Sequence, residues 1–136
     1  MNDREQPPSQ QRTPIADMLG RRQLYFDAES GKAALAFLAK PEFANRHGTV
    51  QGGMLATMLD SAAGATLMAS LPPELTAVTV QLNTTFLKPA LVGPLCATAR
   101  VLARDDRSAE VEAEIATPDG VVVARAIARW RIFRRK

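Results

Sequence analysis

One segment, from about Gly52 to about Ser70, does most to constrain how this chain can fold. It is the only long stretch in which apolar residues recur three and four positions apart, as they do along one face of an α-helix. Pro72-Pro73 follows and ends the pattern. The sequence therefore predicts one long helix, apolar over too much of its surface to lie outside a protein. Its core-facing residues are expected to be Met54, Leu55, Met58, Leu59, Ala62 and Ala63.

Beyond this helix, apolar and polar residues alternate, which is typical of antiparallel strands with one buried face. A turn at Asp119-Gly120 places Glu114 opposite Arg125 and Glu110 near Arg129, so these arginines have cross-strand partners. Four strands are predicted, and the side chains expected to be buried are Val78, Val80, Leu82 and Phe86 in the first, Ala97, Ala99, Val101 and Ala103 in the second, Val111, Ala113 and Ile115 in the third, and Val122, Ala124, Ala126, Ala128 and Trp130 in the last.

The part of the chain before the helix is expected to begin with a disordered polar tail over residues 1–13, followed by a single domain over residues 14–136. Thr13-Pro14 is predicted to start a short helix that runs to about Leu19 and stops at Gly20. Two short strands then form a hairpin that turns at Ser30-Gly31, and residues 41–50 form a loop.

These elements predict an α+β fold in which a curved antiparallel sheet wraps around one long central helix. A single curved sheet leaves its edge strands unpaired, and pairing with a second copy would cover them. We therefore expect a homodimer, and a dimer of dimers is a further possibility for the outer face of the sheet.

Composition excludes several classes of protein. A chain of 136 residues with one cysteine cannot contain an internal disulfide framework, which fits a reducing cytoplasm. The N-terminus lacks the apolar region of a secretory signal, and no apolar run could span a bilayer, so no membrane partner is expected. A net charge of +3 would suit an anionic metabolite as well as nucleic acid, but the scarcity of aromatic residues argues against a nucleic-acid partner. One histidine and one cysteine do not supply a metal site.

Asp60 is the most unusual residue of the helix. Between Arg46 and Lys88 the only other formal charge is Glu74, and burial of an unpaired carboxylate costs several kcal/mol. Asp60 could be exposed, held by a neighbouring strand for structure, or placed in a cleft as a base or nucleophile. Its position after a glycine-rich helix start favours the cleft.

The helix start and the loop before it could contribute hydrogen-bonding groups. The first N–H groups of a helix have no partner within it, so Gly52-Gly53 could bind an anion or a developing oxyanion, although a plain tight turn is an equal alternative. Asn45 is either a turn residue or a group that orients a water or a carbonyl. His47 is the only histidine, and a lone loop histidine is more often a surface residue than a catalyst.

The stretch from Asn45 to Asp60, with Gly48 and Gln51-Gly52-Gly53 between them, closely resembles the hotdog-fold acyl-CoA thioesterases. The branch it resembles includes phenylacetate-degradation and 4-hydroxybenzoyl-CoA thioesterases. The segment VTVQLNTTFLKPALVG extends the resemblance, which covers about residues 22–133. The family usually has His where this chain has Gln51, and Gln can donate a hydrogen bond but cannot transfer a proton at neutral pH.

The resemblance implies an acyl-CoA thioesterase that needs no cofactor, because coenzyme A is part of the substrate. The Gly52 N–H would polarise the thioester carbonyl, and Asp60 would act as general base or nucleophile. Asn45 and Thr79 would assist the water or the acid. Contacts to the substrate are expected from His47, Gly53, Asn83 and Lys88.

Helix geometry adds a condition to this mechanism. Asp60 lies eight residues after Gly52, or about 12 Å along the helix, so one chain cannot easily bring both to the same carbonyl. The dimer would then hold two sites, each shared between subunits. Two alternatives remain open: a hotdog acyl-thioester hydratase or dehydratase, and an acyl-CoA-binding protein without catalysis.

Overall fold

The structure is a computed structural model that describes residues 12–136. It contains helices α1 (Pro14–Met18) and α2 (Gly52–Ser70), a single 3-10 turn at Pro41–Phe43, and strands β1 (Arg22–Asp27), β2 (Lys32–Ala39), β3 (Leu75–Phe86), β4 (Gly93–Arg104), β5 (Ser108–Ala116) and β6 (Val122–Arg134). The strands form one antiparallel sheet in the order β1-β2-β4-β5-β6-β3. The predicted α+β fold, a curved sheet around one long helix, is confirmed.

The first helix begins as predicted. The Thr13 side chain accepts a hydrogen bond from the Ala16 N–H, and Leu19 caps the C-terminal end. Gly20 then turns the chain with a φ of 61°, a conformation that glycine adopts without strain. The tail predicted for residues 1–13 lies, over residues 1–11, outside the described residues.

The central helix α2 has the predicted bounds and buries the predicted apolar face. Its position against the sheet depends on Gly64. A Cβ atom at Gly64 would lie 2.9 Å from the Trp130 ring, so only glycine lets the indole pack this closely against the helix. Among the described residues, no helix is both long enough and apolar enough to cross a membrane.

The prediction for β3 is wrong at three residues, Val78, Val80 and Phe86. Val78 and Val80 are 51% and 66% exposed, although the alternating pattern placed them in the core. The register with β6 shifts between Thr79 and Gln81, so the side chains before this bulge face the opposite way from the predicted pattern. Among the described strands, β3 also lies at the edge of the sheet, so none of them neighbours Val80 on one side. Phe86, predicted to be buried, is 52% exposed at the end of the strand.

The other strands follow the predicted alternation with two exceptions. Val122, predicted to be buried, is half-buried, and its neighbour Val123 is buried instead. Ala103 is exposed because the register of β4 shifts between Val101 and Ala103. The predicted register of the last hairpin is confirmed, with Glu114 opposite Arg125 and Glu110 opposite Arg129.

Candidate active site

A cleft of about 400 Å³ lies along the face of α2 that carries Asp60. The helix side chains that line it are spaced three and four residues apart, and most are small or polar, which leaves room between helix and sheet. These helix residues are Thr57, Asp60, Ser61, Gly64, Ala65 and Met68, and the remaining walls come from Thr13, Ile15, Arg21, Thr76, Ala77, Trp130 and Arg135.

Asp60 is half-buried in this cleft and has one hydrogen-bond partner among the described residues. The Thr79 hydroxyl donates to its Oδ1 over 2.6 Å. The bulge in β3 makes this possible, because it places Thr79 opposite Trp130 on the face toward the helix. The second carboxylate oxygen has no donor in the described part of the chain. It can therefore accept a proton from water or attack a carbonyl carbon.

A cation also borders the cleft, and sequence reasoning missed it. Arg21 Nη1 donates a 3.0 Å hydrogen bond to Ser61 Oγ, next to Asp60 in the helix. Burial lowers the pKa of Arg21 from its usual value, and the nearby charge of Arg12 lowers this pKa further. Arg21 and Ser61 are 40 residues apart, so no local sequence pattern could have indicated this contact.

Asn45 organises the loop that leads into α2. Its Oδ1 accepts hydrogen bonds from the His47 N–H at 2.9 Å and from the Thr49 N–H and hydroxyl, each at 3.2 Å. Gly48 completes the turn with a φ of 78°. The Asn45 amide nitrogen has no acceptor among the described residues and stays available to a ligand, whereas His47 is exposed.

The start of α2 presents free backbone donors. Within residues 12–136, the N–H groups of Gly52 and Gly53 have no hydrogen-bond partner. The Phe86 ring packs beside Gly52, at 3.5 Å from where a Cβ atom would stand, while a Cβ on Gly53 would meet no atom within 4 Å. Gln51 is the N-cap residue, but its exposed side chain makes no capping hydrogen bond.

The predicted site residues thus fall into separate groups within one chain. Asp60 and Thr79 are in contact, whereas none of the loop and helix-start residues lines the Asp60 cleft. Asn83 is exposed and pairs with Ile127 in the register of the outer sheet face, and Lys88 is exposed just after β3. No trio of His, Cys, Asp or Glu side chains in the described residues is grouped so that it could hold a metal ion.

Comparison with known proteins identifies the family. Residues 47–124, more than half of the chain, match the sequence profile of the thioesterase superfamily. The chain belongs to this superfamily. A protein of Saccharolobus solfataricus that carries an esterase name is 32% identical over 108 residues, which are 79% of this chain and 76% of the relative.

Solved structures agree with this assignment. The thioesterase superimposes with a TM-score of 0.85 on a phenylacetic acid degradation-related protein of Ralstonia eutropha JMP134, which is 35% identical over 88% of this chain and 91% of that one. The TM-score is 0.69 with the protein BH2602 of Bacillus halodurans, solved with CoA, at 29% identity over 73% of this chain and 70% of that one. The predicted hotdog fold and thioester hydrolase class are confirmed.

Proposed function

We propose that this thioesterase hydrolyses acyl- or aryl-CoA thioesters to the free acid and CoA, with Asp60 as the catalytic carboxylate. The observation that carries the proposal is the Asp60 carboxylate itself, half-buried in a 400 Å³ cleft and fixed by the Thr79 hydroxyl at 2.6 Å. An acid with one oxygen held and the other free is suited to act on a bound thioester.

Two versions of the first step fit this carboxylate. As a general base, Asp60 takes a proton from water while the water oxygen bonds to the carbonyl carbon. Collapse of the tetrahedral intermediate breaks the C–S bond, and the proton passes to the leaving thiolate. As a nucleophile, Asp60 forms a mixed anhydride with release of CoA, and water then hydrolyses the anhydride.

The developing oxyanion needs donors that Asp60 cannot provide. The free N–H of Gly52, at the positive end of the α2 dipole, is our proposed donor, with Gly53 leaving space for the ligand. Gln51 and the free amide of Asn45 would add hydrogen bonds to the carbonyl or the water. Gln51 cannot transfer a proton, so in this mechanism Asp60 accepts and donates the proton without help from an imidazole.

The separation of Gly52 and Asp60 makes a second copy part of the proposal. Eight helical residues separate them by about 12 Å, while both must lie within about 3 Å of the reacting atoms. We therefore propose a homodimer with two shared sites. Support comes from the edge of β3, which no other strand within residues 12–136 pairs with. Val78 and Val80 expose apolar side chains there that a second β3 would cover.

The CoA part of the substrate is proposed from chemistry and from one relative. The Bacillus halodurans protein was solved with CoA, and it shares this fold. The exposed residues His47, Gly53, Asn83 and Lys88 are our candidates for contacts with CoA, with the Lys88 ammonium suited to a phosphate. No additional cofactor is needed, and the single cysteine fits a cytoplasmic location.

Hydrolysis is tested by measuring free-thiol release from a panel of acyl- and aryl-CoA thioesters. Asp60→Asn keeps the size of the side chain but removes the base, and kcat is expected to fall by a factor on the order of 1,000. Thr57→Ser, a small change in the same cleft, serves as the control. Binding of acyl-CoA without thiol release by the wild-type protein would overturn the proposal in favour of a non-catalytic binding protein.

A further inference from the structure

Arg21 is a half-buried guanidinium without an acidic partner in the described residues. Within residues 12–136, the one hydrogen bond of its side chain is the 3.0 Å bond to Ser61 Oγ, and Arg21 takes part in neither of the two ion pairs found there. Burial of an unpaired cation is costly, and it is offset when an anion with matching hydrogen-bond geometry is bound. Arginine carries several N–H donors, so most of its capacity is unused here.

The rest of the cleft has the same excess of donors. Its lining side chains include two cations, Arg21 and Arg135, and only one anion, Asp60. The indole Nε1 of Trp130, which also lines the cleft, is buried and has no acceptor among the described residues. A ligand that brings acceptor oxygens and a negative charge would complement these groups.

Resting on the proposed hydrolysis at Asp60, we propose that Arg21, positioned by Ser61, selects acyl-CoA substrates whose acyl group ends in a carboxylate. The thioester carbonyl would lie at Asp60. The distal carboxylate would pair with the Arg21 guanidinium, which is held by Ser61, the next residue of the helix. A guanidinium matches a carboxylate through two parallel hydrogen bonds, which a neutral hydroxyl cannot form. Arg21 is thus a specificity-determining residue rather than a catalytic one.

The test compares thioesters of equal chain length. Adipyl-CoA, hexanoyl-CoA and 6-hydroxyhexanoyl-CoA differ only in the group at the far end of the acyl chain. For the wild-type protein, kcat/KM for adipyl-CoA is expected to exceed that for hexanoyl-CoA by about 10-fold or more, as charge-assisted hydrogen bonds imply. Equal or faster hydrolysis of either uncharged substrate would overturn the proposal and leave the proposed function intact.

Substitution of the arginine should remove this preference. Arg21→Met is expected to lower the adipyl-to-hexanoyl ratio by about 10-fold or more, because the charge is lost and the length is kept. Arg22→Met is the matched control, since its side chain is exposed and does not line the cleft. A purely structural Arg21 would change stability and leave the ratio unaltered. If Arg21→Met does not fold, Ser61→Ala is used, and a ratio equal to that of the wild type would overturn the proposal.

A binding measurement separates this inference from the proposed function. Trp130 is the only tryptophan, and it lines the cleft, so its fluorescence reports occupancy without any need for turnover. In Asp60→Asn, adipyl-CoA is expected to bind about 10-fold more tightly than hexanoyl-CoA, with free CoA as the reference. Equal affinities would overturn the Arg21 proposal even if hydrolysis is confirmed. Selective binding without any hydrolysis in the wild type would support Arg21 and overturn the proposed function.

Discussion

The Thr79 hydroxyl donates a 2.6 Å hydrogen bond to Oδ1 of Asp60 and so joins the edge strand β3 to the central helix. The two residues are 19 positions apart in the chain. Because a bond to a charged oxygen is stronger than one between neutral groups, it fixes the carboxylate in one orientation. The other carboxylate oxygen accepts no hydrogen bond from residues 12–136, and Asp60 lines the cleft that the substrate would occupy.

Removal of this hydrogen bond should slow hydrolysis. Thr79→Val keeps the shape of the side chain but loses the donor, and kcat/KM is expected to fall by about 10- to 100-fold. Thr79→Ser retains the hydroxyl and should recover most of the activity. Thr85→Val, on the same strand but facing outward, is the control for effects of valine on the sheet. Full activity in Thr79→Val would show that the bond has no catalytic role.

Shared sites should allow two inactive variants to rescue each other. Asp60→Ala and Asn45→Ala are each expected to be inactive, but a mixed dimer contains one site in which both residues are intact. Random mixing should restore about a quarter of the wild-type activity. Differently tagged chains verify that mixed dimers form. If they form and no activity returns, each site lies within a single chain.

The exposed edge of β3 should determine the oligomeric state. Val80→Lys places a charge on this edge and is expected to convert the protein to monomers, as measured by light scattering after size-exclusion chromatography. Hydrolysis should be lost with the dimer, although Asp60 and its cleft are unchanged. Leu24→Lys, at a 53% exposed position on the opposite edge strand β1, is the control. An active monomer would contradict the shared-site mechanism.

Gly64 should be intolerant of any side chain. The Cβ of Gly64→Ala would lie 2.9 Å from the Trp130 ring, and we expect a net loss of about 1–3 kcal/mol in the free energy of unfolding from overpacking. Gly53→Ala is the comparison, because its Cβ would meet no atom within 4 Å. That variant should be at least as stable as the wild type, since alanine favours helix. Denaturant unfolding of both variants measures the difference.

The turn between β4 and β5 should give a pH-dependent contribution to stability. The Asp105 carboxylate accepts hydrogen bonds from the Arg107 and Ser108 N–H groups, which lower the pKa of Asp105. Because the folded pKa is below the unfolded one, the charge stabilises the fold at pH values above the unfolded pKa of 3.8. This contribution disappears as the pH falls through the folded pKa.

Asp105→Asn keeps the shape of the carboxylate without its charge. The variant should therefore be less stable than the wild type at neutral pH, and the two should converge in acid. Thermal unfolding midpoints measured between neutral pH and pH values below 3.8 test this expectation. A difference that stays constant over this range would assign the effect to side-chain geometry instead of charge. Asp106→Asn, in the same turn, is the control.

The sequence alone determined the helices and strands, and the register of the last hairpin. The bounds of α2, the buried faces of β5 and β6, and the pairing of Glu114 with Arg125 all follow from periodicity and turn chemistry. These features depend on residues close together in the chain, because hydrophobic spacing and the positions of proline and glycine determine local secondary structure and turns. The resemblance of the stretch from Asn45 to Asp60 to the thioesterases was also visible in the sequence, but it rests on a motif and not on periodicity.

Only the tertiary structure decided which side chains meet at Asp60. One bulge in β3 reverses the faces of the residues before it, so Thr79 turns toward the helix while Val78 turns outward. The packing of α2 against the sheet then brings Arg21 to Ser61 from 40 residues away. A bulge adds one residue to a strand, which hardly alters the hydrophobic pattern of the sequence but turns the side chains on one side of it to the opposite face. Contacts between residues far apart in the chain depend on how the whole sheet curves around the helix.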